Sequence, residues 1–256
     1  MLVKEILKEI ERRFPLFLQE SYDNSGVQIE GPNVEVTKVL VSLDPTPQAI
    51  RLAASEGCQL VLTHHPLLFN GIKKITPSES SGDIIYTSLL NSITLYALHT
   101  NYDSAPNGLN DALCKRLKMQ NTNPLIKNEM MNGAGIGRVG DVEEMEIRKF
   151  AEFVRKNLKA SHVKLAVKGP HTVKKVALCS GSGADFIDDA IEAGADVYIT
   201  GDVSYHSIIH AVNHGISLVV VEHDESEKFF EDEMEAFLRS LGVEAMKYHE
   251  KFYHFI

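Results

Sequence analysis

The chain repeats itself. Displaced by 137 residues, VTKVLVSLDPTPQAIRLAASEGCQLVLTHH from Val36 aligns without a gap on VKKVALCSGSGADFIDDAIEAGADVYITGD from Val173. Val36/Val173, Ile50/Ile187, Ala53/Ala190, Gly57/Gly194 and Thr63/Thr200 coincide. The match resumes at an offset of 123, where NSITLYALHTNYD from Asn91 meets HGISLVVVEHDES from His214. About fourteen extra residues around GIKKITPSES in the first copy account for the change. Each copy reads as an apolar β-rich run, a turn, an amphipathic helix closed by Gly, and two further apolar runs. Runs as short and continuous as LVLT and LVVV suit strands covered on both faces, as in a parallel sheet. The repeat therefore restricts the chain to an α/β fold of two related halves with largely parallel sheets.

The remaining elements follow from punctuation. NTNP and NG between Asn121 and Gly133 place the expected division at residues 1–125 and 126–256, with the C-terminal segment packing back on the first half. The stretch from Ala134 to Gly169 reads as strand, helix, strand. An amphipathic helix is expected at the N-terminus and another from about Ser226 to Leu241, with a short strand to finish.

In open α/β sheets ligands bind beyond the carboxyl ends of the strands, so residues just after each apolar run are the first candidates for chemistry. VLTHHP ends in His64 and His65, LYALHTNYD delivers His99 and Asp103, and VVVEHDESEKF delivers His223 and Glu227. If VLTHHP stays extended, His64 and His65 point to opposite sides and serve two ions placed side by side. A spacing of four puts His223 and Glu227 on one face of a helix. Imidazoles and carboxylates without thiolate suit zinc, iron or manganese. In the same register His64 and His65 meet Gly201 and Asp202, so the second copy lacks the paired imidazoles; Asp202 and His206 remain candidates there. The stretch Ser180 to Gly183 offers backbone amides that can receive an anion, or a plain tight turn.

Composition narrows the class. A net charge of −9 without a dense Lys/Arg block makes nucleic acid a poor partner. Cys58, Cys114 and Cys179 are scattered and without CxxC spacing, which points to reduced thiols. No apolar run is long enough to span a bilayer, and the charged N-terminus is unlike a signal peptide, so a soluble, cytoplasmic protein is expected. A Ser or Cys nucleophile enzyme has no GxSxG elbow or Cys motif to rest on.

SYDNSGVQIEG, VSLDPTP, VLTHHPLLF, LHTNYD, GRVGD, ITGDVSYH and VVVEHDESEKF, in this order over nearly the whole chain, resemble the NGG-interacting-factor-three-like family. Its members are also named GTP cyclohydrolase 1 type 2 homologues, and the chain is similar to the short bacterial form. The resemblance implies a two-metal site of His64, His65, Asp103, His223 and Glu227, and a ring-like homohexamer. The expected function is a metal-dependent hydrolase acting on a nucleotide or similar anionic small molecule, with two divalent ions per chain. His99 would orient a ligand or transfer a proton, or equally serve in a structural hydrogen bond. The competing expectation is metal storage or delivery, or a binding scaffold without turnover. The metal cleft is expected between the two halves.

Overall fold

The computed structural model describes residues 1–169 and 172–253. Its strands are β1 (Gly26–Ile29), β2 (Val39–Ser42), β3 (Leu60–Thr63), β4 (Thr94–Ala97), β5 (Gln120–Lys127), β6 (Gly135–Glu146), β7 (Lys164–Ala166), β8 (Thr172–Ser182), β9 (Val197–Gly201), β10 (Ser217–Val220) and β11 (Ala245–Tyr248). Among the described residues they form two sheets, ordered β1-β4-β3-β2-β11 and β5-β6-β8-β9-β10-β7. In the first, β11, β2, β3 and β4 run parallel and β1 closes an edge antiparallel. In the second, β8, β9 and β10 run parallel, and β6 and β7 flank them antiparallel. The fold is mixed α/β with mostly parallel strands, built from two related halves.

The repeat holds down to single hydrogen bonds. Val39 pairs with Leu60 and Leu60 with Thr94 in the first sheet; Val176 pairs with Val197 and Val197 with Ser217 in the second. These are the same positions under the two sequence offsets. The helix Pro47–Ser55 corresponds to a 3-10 turn, Ala184–Phe186, that runs into the helix Ile187–Glu192. Both end alike: Gly57 and Gly194 take φ of +68° and +70°, and the amides of Cys58 and Ala195 donate to the carbonyls of Ala53 and Ala190. This closure needs a left-handed residue, which costs a side chain roughly 1–2 kcal/mol and glycine nothing. The two cores also correspond, with Leu40, Ile50, Ala53, Val61 and Leu95 in one and Ala177, Ile187, Ala190, Tyr198 and Leu218 in the other.

The chain forms two compact units, Met1–Tyr102 together with the segment from Lys228 on, and Asp103–Glu227. The punctuation had placed a single boundary near residue 125. Residues 120–127 are instead strand β5, paired with β6. Arg138 of β6 is 2% exposed and is held by Asp111 and by the carbonyls of Ala105, Gly135 and Gly137. Breaking a buried ion pair costs about 3–5 kcal/mol, so residues 105–111 stay with β6. The C-terminal segment belongs to the first unit because β11 pairs with β2, Ala245 opposite Val39. It is preceded by two helices, His223–Glu227 and Phe229–Ser240, where one was expected. The N-terminal helix Val3–Arg13 buries Val3, Ile6, Leu7 and Ile10 on one face. Among the described residues no helix is long and apolar enough to cross a membrane.

Candidate metal centre

In the first unit, β3 ends at Thr63 and the chain bends. The amides of His64 and His65 both donate to the carbonyl of Leu43, at 3.1 and 3.0 Å. Adjacent amides of an extended strand face opposite ways, so two of them on one acceptor mean that strand alternation has stopped. This corrects the expectation that the imidazoles point apart. Their ring centroids lie 5.2 Å apart, and ligand atoms of His64, His65 and His99 all fall within 4.8 Å of one another.

Each of these rings is oriented through Nδ1. Nδ1 of His64 donates to the Leu98 carbonyl at 2.7 Å, that of His65 to Asp44 Oδ1 at 2.7 Å and that of His99 to Asp23 Oδ1 at 2.7 Å. A carbonyl or carboxylate oxygen only accepts, so Nδ1 carries the proton and, in the neutral ring, the lone pair resides on Nε2. Asp44 reaches His65 because DPTP makes a fixed turn: Thr46 caps the helix by accepting from the amide of Ala49 at 3.1 Å, and Pro47 sits in its first turn. Asp23 is a hub, accepting from Thr100 N and Oγ1, Ser25 Oγ and Asn24 N besides His99. Burial pushes its carboxyl up, but the hydrogen bonds from His99 and Thr100 and the His99 charge outweigh that and hold it well below the usual range.

The second unit carries an imidazole with carboxylates of its own. His223 and Glu227 open and close the short helix His223–Glu227, and Nε2 of His223 lies 2.9 Å from Glu227 Oε2. Nδ1 of His223 donates to Asp202 Oδ2 at 2.6 Å. One imidazole between two carboxylates creates a position that favours a cation at Nε2, a proton or a metal ion. Asp103 is 6% exposed, with Ser180 Oγ donating to its Oδ1 at 3.4 Å and Asn110 donating to its carbonyl. Burial, then the charges of Asp103 and Glu227, push the Cys179 thiol far up, so both carboxylates act on one locality.

The stretch Ser180 to Gly183 is no anion receptor. Its amides at Ser180, Gly181 and Gly183 donate to Asn110 Oδ1, Ser226 Oγ and Thr200 Oγ1, each at 2.9 Å. Its glycines serve close approach instead: a Cβ on Gly181, at φ +60°, would lie 2.1 Å from Glu227 Oε1 and 3.2 Å from His223 Nε2. The absence of a histidine opposite His64 has the same cause. A Cβ on Gly201 would meet the carbonyl of Gly181 at 2.7 Å, because β8 runs on to pair Ser182 with Gly201, whereas β2 stops at Ser42. His206 is exposed and packs on Tyr205.

Asp23, Asp44 and Gly181 escaped the reading of the sequence as functional positions, and Asp202 was left without a role. The signal was there: Asp23 and Asp44 lie in SYDNSG and VSLDPTP, which carry turn residues around one carboxylate. The donor set fits a divalent transition ion, with Nε2-directed imidazoles whose other nitrogen is held by oxygen, buried carboxylates, and no thiolate among them. The His223/Glu227 group is one that can hold such an ion.

The family model Duf34/NIF3 (NGG1p interacting factor 3) matches residues 1–252. A GTP cyclohydrolase 1 type 2 homolog of Clostridium perfringens is 36% identical over 89% of this chain and 87% of its own length. One from Methanocaldococcus jannaschii is 34% identical over 94% and 96%. Reduced HcgD from Methanocaldococcus jannaschii superposes with a TM-score of 0.84 at 32% identity, covering 96% of this chain and 97% of that one. A Bacillus cereus protein related to NIF3 shares the fold, with a TM-score of 0.86 at 24% identity, covering 99% and 97%. The match over nearly all residues, together with this arrangement of histidines and carboxylates, establishes that the chain belongs to the Duf34/NIF3 family.

Proposed function

We propose that the protein is a metal-dependent hydrolase acting on a nucleotide or a similar anionic small molecule, with His64, His65, Asp103, His223 and Glu227 holding two divalent ions. The observation that carries this reading is the orientation of four imidazoles, those of His64, His65, His99 and His223, each held at Nδ1 by an oxygen acceptor. That is how proteins prepare histidine for Nε2 ligation, and such supporting partners typically contribute 10–100-fold in affinity. Five N/O ligands exceed what one open tetrahedral site uses, which favours two ions of zinc, iron or manganese. When bound, such ions supply Lewis acidity and bring the ionisation of water towards neutral pH.

The chain's own residues supply the rest. Asp23 holds His99 at Nδ1, so Nε2 of His99 can take a proton while the buried carboxylate stabilises the resulting imidazolium. Asp103 and Glu227 offset part of the ionic charge, leaving a net attraction for an anionic substrate. The name GTP cyclohydrolase 1 type 2 homolog, carried by the relatives, is consistent with a nucleotide. The homohexamer implied by the resemblance is proposed with it, and light scattering of the purified protein tests it.

The decisive experiment is metal quantitation of the purified protein, then a screen of nucleotides and other phosphate esters with that metal restored. Sustained turnover lost in His64→Ala supports the hydrolase. Tight metal binding without turnover on any substrate class overturns it in favour of storage or delivery.

A further inference from the structure

One buried carboxylate of the first unit stands outside the candidate ligand set, yet holds the residue that bends two of its members. Glu231 lies in the first turn of the helix Phe229–Ser240 and is 6% exposed. Its Oε1 accepts from the amide of Leu43 at 3.2 Å and from Nδ1 of His249 at 3.0 Å. Leu43 is the residue whose carbonyl receives the amides of His64 and His65. Strands β2 and β11 both stop here, with Ser42 opposite Tyr248 as their last pair, and the Leu43 amide takes a side-chain acceptor where the ladder ends. A carboxylate is costly to bury unless its oxygens are hydrogen-bonded, and filling space needs no charge. The neighbouring Phe230 is buried, with its ring centroid 5.3 Å from that of His64.

The repeat shows that this contact meets a recurring need. At the offset of 137 Leu43 falls on Ser180, whose amide also donates to a buried side chain, Asn110 Oδ1, at 2.9 Å. Asn110 lies on the helix Leu109–Arg116, which follows β4 and the short helix Thr100–Ser104. Phe229–Ser240 follows β10 and the short helix His223–Glu227 in the same way. Each of the two longer helices belongs to the unit that contains the other copy. A neutral side chain suffices at Asn110, so the turn requires an acceptor oxygen in the right place rather than a charge.

We propose that Glu231 is a positioning residue of the metal centre, fixing through Leu43 the bend that turns His64 and His65 towards each other. The inference rests on the reading of these histidines as metal ligands and extends it to a side chain that acts through the backbone.

Two substitutions in the full-length protein separate reach from charge. Glu231→Gln keeps an oxygen at the same reach and loses the charge, whereas Glu231→Asp keeps the charge and withdraws the oxygen by one methylene. In competition with a chromophoric chelator, Glu231→Asp should bind zinc roughly tenfold more weakly, the lower end of what outer partners of metal ligands contribute, and Glu231→Gln should match the parent. The visible spectrum of the cobalt-loaded protein should change in Glu231→Asp alone. In hydrogen exchange of the metal-free protein, the His64 and His65 amides should lose protection in Glu231→Asp and keep it in Glu231→Gln, with the amides of β3 unchanged in both. Parent affinity in Glu231→Asp, equal loss in the two variants, or exchange that rises equally across β3 overturns the proposal. A parent protein that binds no zinc sinks the metal reading by itself. Exchange in the metal-free protein then still decides whether Glu231 sets the bend, and parent-like protection of His64 and His65 in Glu231→Asp overturns it.

Discussion

Asp202 holds Nδ1 of His223 at 2.6 Å from the register position that carries His65 in the first copy. The repeat has thus kept a position and changed its task, from presenting an imidazole to orienting one. Asp44 does for His65 what Asp202 does for His223.

Asp44→Ala and Asp202→Ala should therefore each weaken metal binding about 10–100-fold, since the rings lose their fixed tautomer and direction. Competition with a chromophoric chelator measures this. Asp188→Ala, which removes the carboxylate partner of the exposed His210, outside the candidate ligand groups, is the control and should leave affinity unchanged.

Gly181→Ala and Gly194→Ala separate backbone strain from the site. Both residues have positive φ, but a Cβ on Gly194 would come no nearer than 3.9 Å to the end of Lys175. Gly194→Ala should cost about 1–2 kcal/mol in urea denaturation and leave metal content intact. Gly181→Ala should cost more and should displace Glu227, lowering metal content as well.

Metal bound only by the folded chain stabilises it by mass action, about 2.7 kcal/mol at one hundred times Kd. For a chain of this size that corresponds to roughly 5–10 °C in Tm. Calorimetry with and without chelator reads the difference, and a melting curve that ignores confirmed metal removal would count against ligation by these side chains.

Asp23 supplies a pH prediction. Its folded pKa is depressed, so the stability it contributes is fully present above the unfolded carboxylate pKa and is lost as pH falls from there towards the lower folded value. Asp23→Asn should be less stable than the parent by about 2 kcal/mol at neutral pH, the scale of hydrogen bonds to a charged group. The gap should narrow only in acid, below the ordinary carboxylate range. A gap that is constant with pH in denaturation curves would mean the carboxylate charge contributes nothing.

Periodicity and local chemistry determined much of this protein from the chain alone. Apolar runs at matching offsets set both βαβ units and their strand register, because alternation and helix-closing glycines are short-range effects that act wherever the sequence recurs. Strand-end histidines and the His223/Glu227 spacing were legible for the same reason. Tertiary structure decided what depends on residues far apart in sequence. The imidazoles of His64 and His65 approach each other because Leu43, just past the end of the neighbouring strand β2, takes both amides. Asp23 reaches across 76 residues to His99, and no local pattern encodes that partner. The division of the chain after Tyr102 and Glu227 was hidden too, since it turns on Arg138 gathering Asp111 and Ala105 and on β11 joining β2. A buried guanidinium and an open sheet edge each take whichever partners satisfy them, and turn punctuation carries no record of that choice.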